Sequence, residues 1–385
     1  MPLPSTERWL FGPGPSLVTP RVMRALAAPA LGHLDPLFLA IMDDLRARLQ
    51  RVFKAPSESF VFAVSGTGTA GMETAVANMV APGTRVLVVV TGYFGARLVE
   101  MCTRYGGDVR EVKTEWGRAV DPAAVEDALK SGKTDVVAIV HAETSTGVRN
   151  PVGEIVPLAT THGALTIVDC VTSLGGVPVD MAAWSADVCY SGSQKCLGAP
   201  SGLAPIAFAP SALERRVPCR SFYLDVGLLQ DYWIGRKYHH TMSSSLIYAL
   251  DEALAAIEEE GLEARWARHA EAHRSFAAAL ETMHLSLLPS ASDRLPDLNA
   301  VNVPEGIDEA AVRRELRETF NIEIGAGMGP LAGKIWRIGL MGAAATSAHV
   351  KLLASAFEAA LTSCGHRFDK SASASLREQS AGAGT

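Results

Sequence analysis

The chain has 385 residues, 48% hydrophobic and 20% charged, with a formal net charge of −6. That is ordinary globular composition with material for more than one core, and a mildly acidic chain carries no electrostatic footprint for nucleic acid. No apolar run reaches the roughly 18 residues of a membrane span, and the N-terminus MPLPSTERWLFGPGPS lacks the basic-then-apolar layout of a signal peptide. Residues 1–20 hold five prolines and no helical period, which predicts an extended arm. PRVMRALAAP and PLFLAIMDDLRARLQRVFKA then show helical periodicity. From about 60 to 210, short apolar strands alternate with helical segments: FVFAV (60–64), RVLVVV (85–90), VVAIVHAE (136–143), ALTIVD (164–169), DVCYSG (187–192) and APIAFA (204–209). This alternation predicts an α/β fold with a mostly parallel sheet covered on both faces. A long helical stretch at 246–283 has a break at Gly261. LNAVNVP, a helix at 308–319, IWRIGLMG and a helix at 347–363 predict a smaller α+β domain. The expected division is an arm at 1–20, a large domain at 21–260, a small domain at 261–367 and a disordered tail at 368–385.

Six cysteines (Cys102, Cys170, Cys189, Cys196, Cys219 and Cys364) form no CxxC pair. They suit free thiols in a reducing cytoplasm rather than disulfides or a zinc site.

The stretch SGTGTAGMETA (65–75) contains G-x-G-x-x-G at Gly66, Gly68 and Gly71. A dinucleotide loop needs an acidic residue about 20 positions further on. None occurs between Glu73 and Glu100. A triphosphate loop fails too, because SGKT (131–134) has Asp127 where its first glycine belongs. What remains is a helix start with unpaired N–H groups, suited to a phosphate, or a glycine turn capped by threonine. Asp169 ends an apolar strand, where a carboxylate is costly without a partner. Lys195 follows another strand amid small residues, either as a buried nucleophile or as a loop lysine reaching solvent. A phosphate cup, an acid and a buried lysine are together what pyridoxal phosphate requires: the lysine for its aldehyde, the acid for its ring nitrogen.

These residues resemble the class V aminotransferases, and within them the alanine–glyoxylate and serine–glyoxylate (serine–pyruvate) group. The similarity runs over residues 8–365 through FGPGPSLVTPRV, GHLDPLF, SGTGTAGMETA, HAETSTGV, VDCVTSLGG, YSGSQKCLGAPSGL, KYHHT and GKIWRIGLMG. The resemblance implies aminotransferase fold type I, with a mostly parallel sheet sandwiched by helices. It implies that Lys195 binds pyridoxal 5′-phosphate and moves the substrate proton, and that Asp169 pairs with the pyridine nitrogen. Thr67, Gly68, Thr69 and Gln194 are placed at the phosphate, Phe94 and Val171 on the two ring faces, and Thr144 beside the cofactor. Tyr238 and Thr241 are placed on the phosphate of a neighbouring subunit, so a homodimer is expected. Arg337 is placed on the substrate carboxylate. No metal site is expected: the paired histidines of KYHHT lack further ligands in sequence.

The expected reaction is a ping-pong transfer of an amino group from alanine or serine to glyoxylate or pyruvate. Ureidoglycine, pyridoxamine or an aminophosphonate as donor are alternatives within the family. A cysteine desulfurase would require a mobile nucleophilic cysteine, and Cys196 directly after Lys195 is better read as packing. A transaminase-like ligand sensor would carry a DNA-binding domain ahead of this fold, and only about 20 residues precede the first helix here.

Overall fold

The computed structural model describes residues 8–367; the first seven residues of the expected arm and the whole expected tail at 368–385 lie outside it. A seven-stranded sheet forms the centre. Its spatial order is Phe60–Ser65, Leu203–Phe208, Val188–Tyr190, Leu165–Asp169, Val136–Val140, Arg85–Val90, Asp108–Lys113. Leu203–Phe208 runs antiparallel to both of its neighbours, and all the other neighbouring pairs are parallel. The strands Phe60–Ser65, Val136–Val140 and Leu165–Asp169 are buried almost throughout, which explains their unbroken apolar sequence.

Two expectations about strands need correcting. The run 136–143 is not one strand. It ends at Val140, and Ala142–Glu143 folds back in a small hairpin onto Val148–Arg149. Asp108–Lys113 is an additional strand at the sheet edge. Its sequence DVREVK carries four charged side chains, as an edge strand requires, so no apolar run announced it.

Helix ends follow local chemistry. Asp35 caps Pro36–Phe53 by accepting from the Leu37 N–H at 2.8 Å, with proline at the first helical position. The long helical stretch divides into Ser244–Glu260 and Leu262–Thr282 at Gly261, whose φ is +80°.

Buried apolar side chains form two main clusters. One runs from Val22 to Ile257 around the large sheet. The other joins Phe11 and Leu17 to residues between Ala272 and Leu361. The latter surrounds an antiparallel sheet of Leu298–Asn302, Ile335–Gly339 and Gly325–Ala326. The N-terminal segment is therefore not free: Trp9–Leu10 adds a parallel strand to Ile322–Glu323. Among the described residues no helix is long and apolar enough to cross a membrane.

Candidate active site

The chemistry-bearing residues sit just beyond the C-terminal ends of parallel strands, where an open α/β sheet leaves a crevice. Thr67, Gly68 and Thr69 follow Phe60–Ser65, Phe94 follows Arg85–Val90, and Thr144 follows Val136–Val140. Asp169 ends its strand, and Lys195 follows Val188–Tyr190. The structure gathers Thr67, Gly68, Thr69, Phe94, Thr144, Asp169, Val171, Gln194 and Lys195 around one cavity of about 220 Å³. Met72, Arg97, Val140 and Ala142 complete its wall.

The glycine loop opens the helix Gly68–Met79. Thr67 precedes it without a side-chain cap, and the Gly68 and Thr69 N–H groups have no partner among the described residues. Those donors and the helix dipole make a seat for an anion. A Cβ at Gly68 would lie 2.7 Å from Val171 Cγ2, so the loop has to be glycine to come this near. Among the described residues the buried Gln194 Oε1 also has no hydrogen-bond partner, and this side chain lines the same cavity.

Asp169 is buried, and both oxygens are held. Oδ1 accepts from the Val171 N–H and Oδ2 from the Tyr190 hydroxyl, each at 2.8 Å. Burial raises its pKa to about 7 against the pull of these two donors. Lys195 reaches the Pro13 carbonyl with its Nζ, and Ser16 fixes the backbone around it: the Ser16 hydroxyl donates to the Lys195 carbonyl at 2.7 Å and the Ser16 N–H to the Gln194 carbonyl at 2.9 Å. Burial, and then the positive charge of Arg337, lower the lysine to about 8. At neutral pH a useful fraction of this amine is therefore unprotonated.

Arg337 is buried on the strand Ile335–Gly339. It donates Nε to the Ala326 carbonyl at 2.6 Å and Nη1 to the Thr144 carbonyl at 3.4 Å. It is outside the wall of the cavity, although its charge reaches Lys195. Tyr238 and Thr241 are not brought to the cavity within one chain. The Tyr238 side chain is 63% exposed, and its hydroxyl is 3.5 Å from Thr241 Oγ1.

Several site residues were not found from sequence. Tyr190 was unassigned because only the strand register, which pairs it with Asp169, aims its hydroxyl there. Glu143 was overlooked within HAETSTGV. It is fully buried and accepts from the Phe94, Gly95 and Ser145 N–H groups and from the Ser145 hydroxyl. Burial raises its pKa even so. Arg97 had a readable signal, since it follows Phe94 by three residues and shares its helical face. Cys196 is buried, with its thiol donating to Asp297 Oδ2 at 3.3 Å, and burial pushes its pKa well up. An inert, buried thiol of this kind is not a mobile nucleophile.

These residues fit pyridoxal phosphate on the structure's own terms: unpaired helix-start donors, an orphaned glutamine amide, a buried acid and a lysine of lowered pKa share one cavity. Among the described residues no group of three or more His, Cys, Asp or Glu side chains is placed to hold a metal ion.

Comparison with known proteins agrees. The family model described as aminotransferase class-V matches residues 8–352. The (S)-ureidoglycine–glyoxylate transaminase of Bacillus subtilis is 37% identical, with 92% of this chain and 90% of that protein covered. The alanine–glyoxylate aminotransferase of Drosophila melanogaster is 36% identical, with 94% of each covered. A solved structure of alanine–glyoxylate aminotransferase from Nostoc sp. superposes with a TM-score of 0.91 at 44% identity, covering 94% of this chain and 97% of that one.

Proposed function

The chain belongs to the class V aminotransferases, enzymes of fold type I that use pyridoxal 5′-phosphate, and from that membership we propose that it transfers the amino group of a small amino acid, alanine or serine, to glyoxylate or pyruvate. The observation that carries this reading is the pairing of a buried lysine of lowered pKa with a buried acid in the same cavity. When bound, the cofactor supplies an electron-accepting ring to which charge flows from the substrate carbon as its proton leaves.

The residues then divide the work. Lys195 is the residue that would hold the cofactor, and its freed amine would take the substrate Cα proton and hand a proton back to complete the transfer. Its low pKa keeps it a base near neutrality. The Pro13 carbonyl accepts from this amine and so orients it. Asp169 would pair with the ring nitrogen, and the Tyr190 hydroxyl with the Val171 N–H fixes which way its oxygens point. Thr67, Gly68, Thr69 and Gln194 would receive the phosphate. Phe94 and Val171 would cover the two ring faces, and Thr144 would lie beside the cofactor. Arg337 takes the substrate carboxylate, in the fork geometry a guanidinium provides.

Tyr238 and Thr241 complete the site of a second copy. Their exposure in one chain supports this, as do the exposed Phe222 and Tyr223, whose rings pack against His239 of the same segment. Six free cysteines suit a reducing cytoplasm. A second reading, with ureidoglycine as donor, draws support from the B. subtilis relative.

The test is a donor–acceptor matrix. Holoenzyme is given each amino acid, and ureidoglycine, with glyoxylate, pyruvate or 2-oxoglutarate. Turnover of alanine or serine with glyoxylate or pyruvate is expected, and Lys195→Ala should abolish it along with borohydride labelling of that peptide. Activity with glutamate and 2-oxoglutarate alone would overturn the substrate assignment.

A further inference from the structure

The helix Tyr93–Arg104 brings a charged side chain to the cavity that the division of work above leaves unused. Arg97 donates Nη1 to Thr69 Oγ1 at 2.9 Å. Its guanidinium carbon lies 5.0 Å from the centroid of the Phe94 ring and 5.2 Å from that of Tyr93, so two rings hold it in place. The nearby acids on its own helix and on the helix of Thr69 are engaged elsewhere: Glu100 pairs with Arg104, and Glu73 accepts from the Tyr105 hydroxyl. No ion pair to Arg97 occurs among the described residues, unlike Arg104 on the same helix. A guanidinium that lines a cavity, with its charge unneutralised and its plane fixed, is prepared for an anion.

The position of Arg97 decides which anion. Arg337, which we assign to the substrate carboxylate, binds the Thr144 and Ala326 carbonyls. Arg97 instead bonds the side chain of Thr69, whose backbone N–H is one of the unpaired donors at the helix start. It therefore stands on the phosphate side. A threonine hydroxyl has one proton to give. While Arg97 donates to its oxygen, that proton stays free for another acceptor.

We propose that Arg97 is the charged member of the phosphate cup: it supplies the full positive charge that the backbone N–H groups lack, and it turns the Thr69 hydroxyl into a donor toward the phosphate. This rests on the reading of residues 67–69 as the phosphate seat. It also explains how a cavity with a second cation still suits small, singly charged donors, because Arg97 is taken by the cofactor and not by the substrate.

The test compares two aldehydes that differ only in the phosphate. Apoenzyme is titrated with pyridoxal phosphate and with pyridoxal, following the absorbance of the bound chromophore. Arg97→Gln is expected to weaken pyridoxal phosphate about tenfold or more, the scale of one hydrogen bond to a charged group, and to leave pyridoxal affinity within about twofold. Arg97→Lys, which keeps the charge and loses the fork, should fall between. Thr69→Val should add less to the loss in the Arg97→Gln background than it causes alone, because the two groups act as one device. Thermal melting of the apoenzymes checks that each variant folds. Equal weakening of both aldehydes would make Arg97 a prop for the Phe94 ring and overturn the proposal, as would unchanged affinity for pyridoxal phosphate. Wild-type protein that takes up no pyridoxal phosphate at Lys195 would instead overturn the reading beneath it.

Discussion

Two carboxyl groups next to the reactive lysine are tuned in the same direction. Asp169 and Asp297 are both buried, and burial raises each to about 7. Among the described residues the one side chain that donates to Asp297 is the weak Cys196 thiol, and its Oδ1 has no hydrogen-bond partner. A carboxyl whose folded pKa lies above its unfolded value holds its proton more tightly in the folded state. Its contribution to stability is complete below about pH 4 and disappears as pH rises through about 7. Asp297→Asn should therefore stabilise cofactor-free protein at pH 8, by about 1–4 kcal/mol at roughly 1.4 kcal/mol per pKa unit, and change little at pH 4. Urea denaturation at both values measures it; an equal effect at the two would mean that Asp297 does not titrate in this range. At this scale, Asp169 stood out because a carboxylate at the end of an apolar strand is costly and has to be explained; Lys195, five residues beyond the strand Val188–Tyr190, read equally well as a loop lysine until the resemblance assigned it. Asp297 was not, since nothing in RLPDLNAV reveals that the aspartate lies beneath the Cys196 thiol.

The helix Tyr93–Arg104 has no capping side chain of its own, for it begins after Gly92. The hairpin Ala142–Arg149 provides the cap from outside. Ser145 Oγ accepts from the Tyr93 N–H at 2.9 Å, and Glu143 accepts from Phe94 and Gly95 at 3.3 and 3.2 Å. The carboxylate fits the positive end of the helix dipole. Glu143→Gln would turn an NH₂ group toward N–H donors. It should cost about 1–3 kcal/mol of stability in chemical denaturation and perturb the absorbance of the bound cofactor through Phe94. Most elements were readable from periodicity, including the helix Ser347–Ser363 at its expected bounds. Among those that were not, the hairpin follows directly on the apolar strand Val136–Val140, Asp108–Lys113 carries charges outward at an edge, and the helix Val226–Trp233 was not assigned at all.

On the scale of the whole molecule, a third, smaller buried cluster sits next to Lys195: Cys196, the following residue, packs with Ala142, Val177, Leu295, Leu298 and Met341. The alternation of strands and helices was enough to predict the architecture. Which loops converge depends on strand order, and strand order leaves little trace in one sequence. The proposed completion of the site by a second copy makes a prediction of its own. Chains carrying Lys195→Ala are mixed, after partial denaturation, with chains carrying Tyr238→Phe and Thr241→Val together. Each mixed pair should contain one wholly wild-type site, so activity should rise well above that of either parent. Gel filtration should report two chains per particle. No recovery on mixing would mean that each chain builds its site alone.

Anchoring the Lys195 amine on Pro13 has a practical side. The stretch that delivers this carbonyl is stitched to Ile322–Glu323 at one end and to Gln194 at the other. A fusion partner, a purification handle or a protease cut near Leu10 would therefore act on backbone only a few residues from the carbonyl that holds the Lys195 amine. Assays on differently tagged preparations should be compared with that tether in mind.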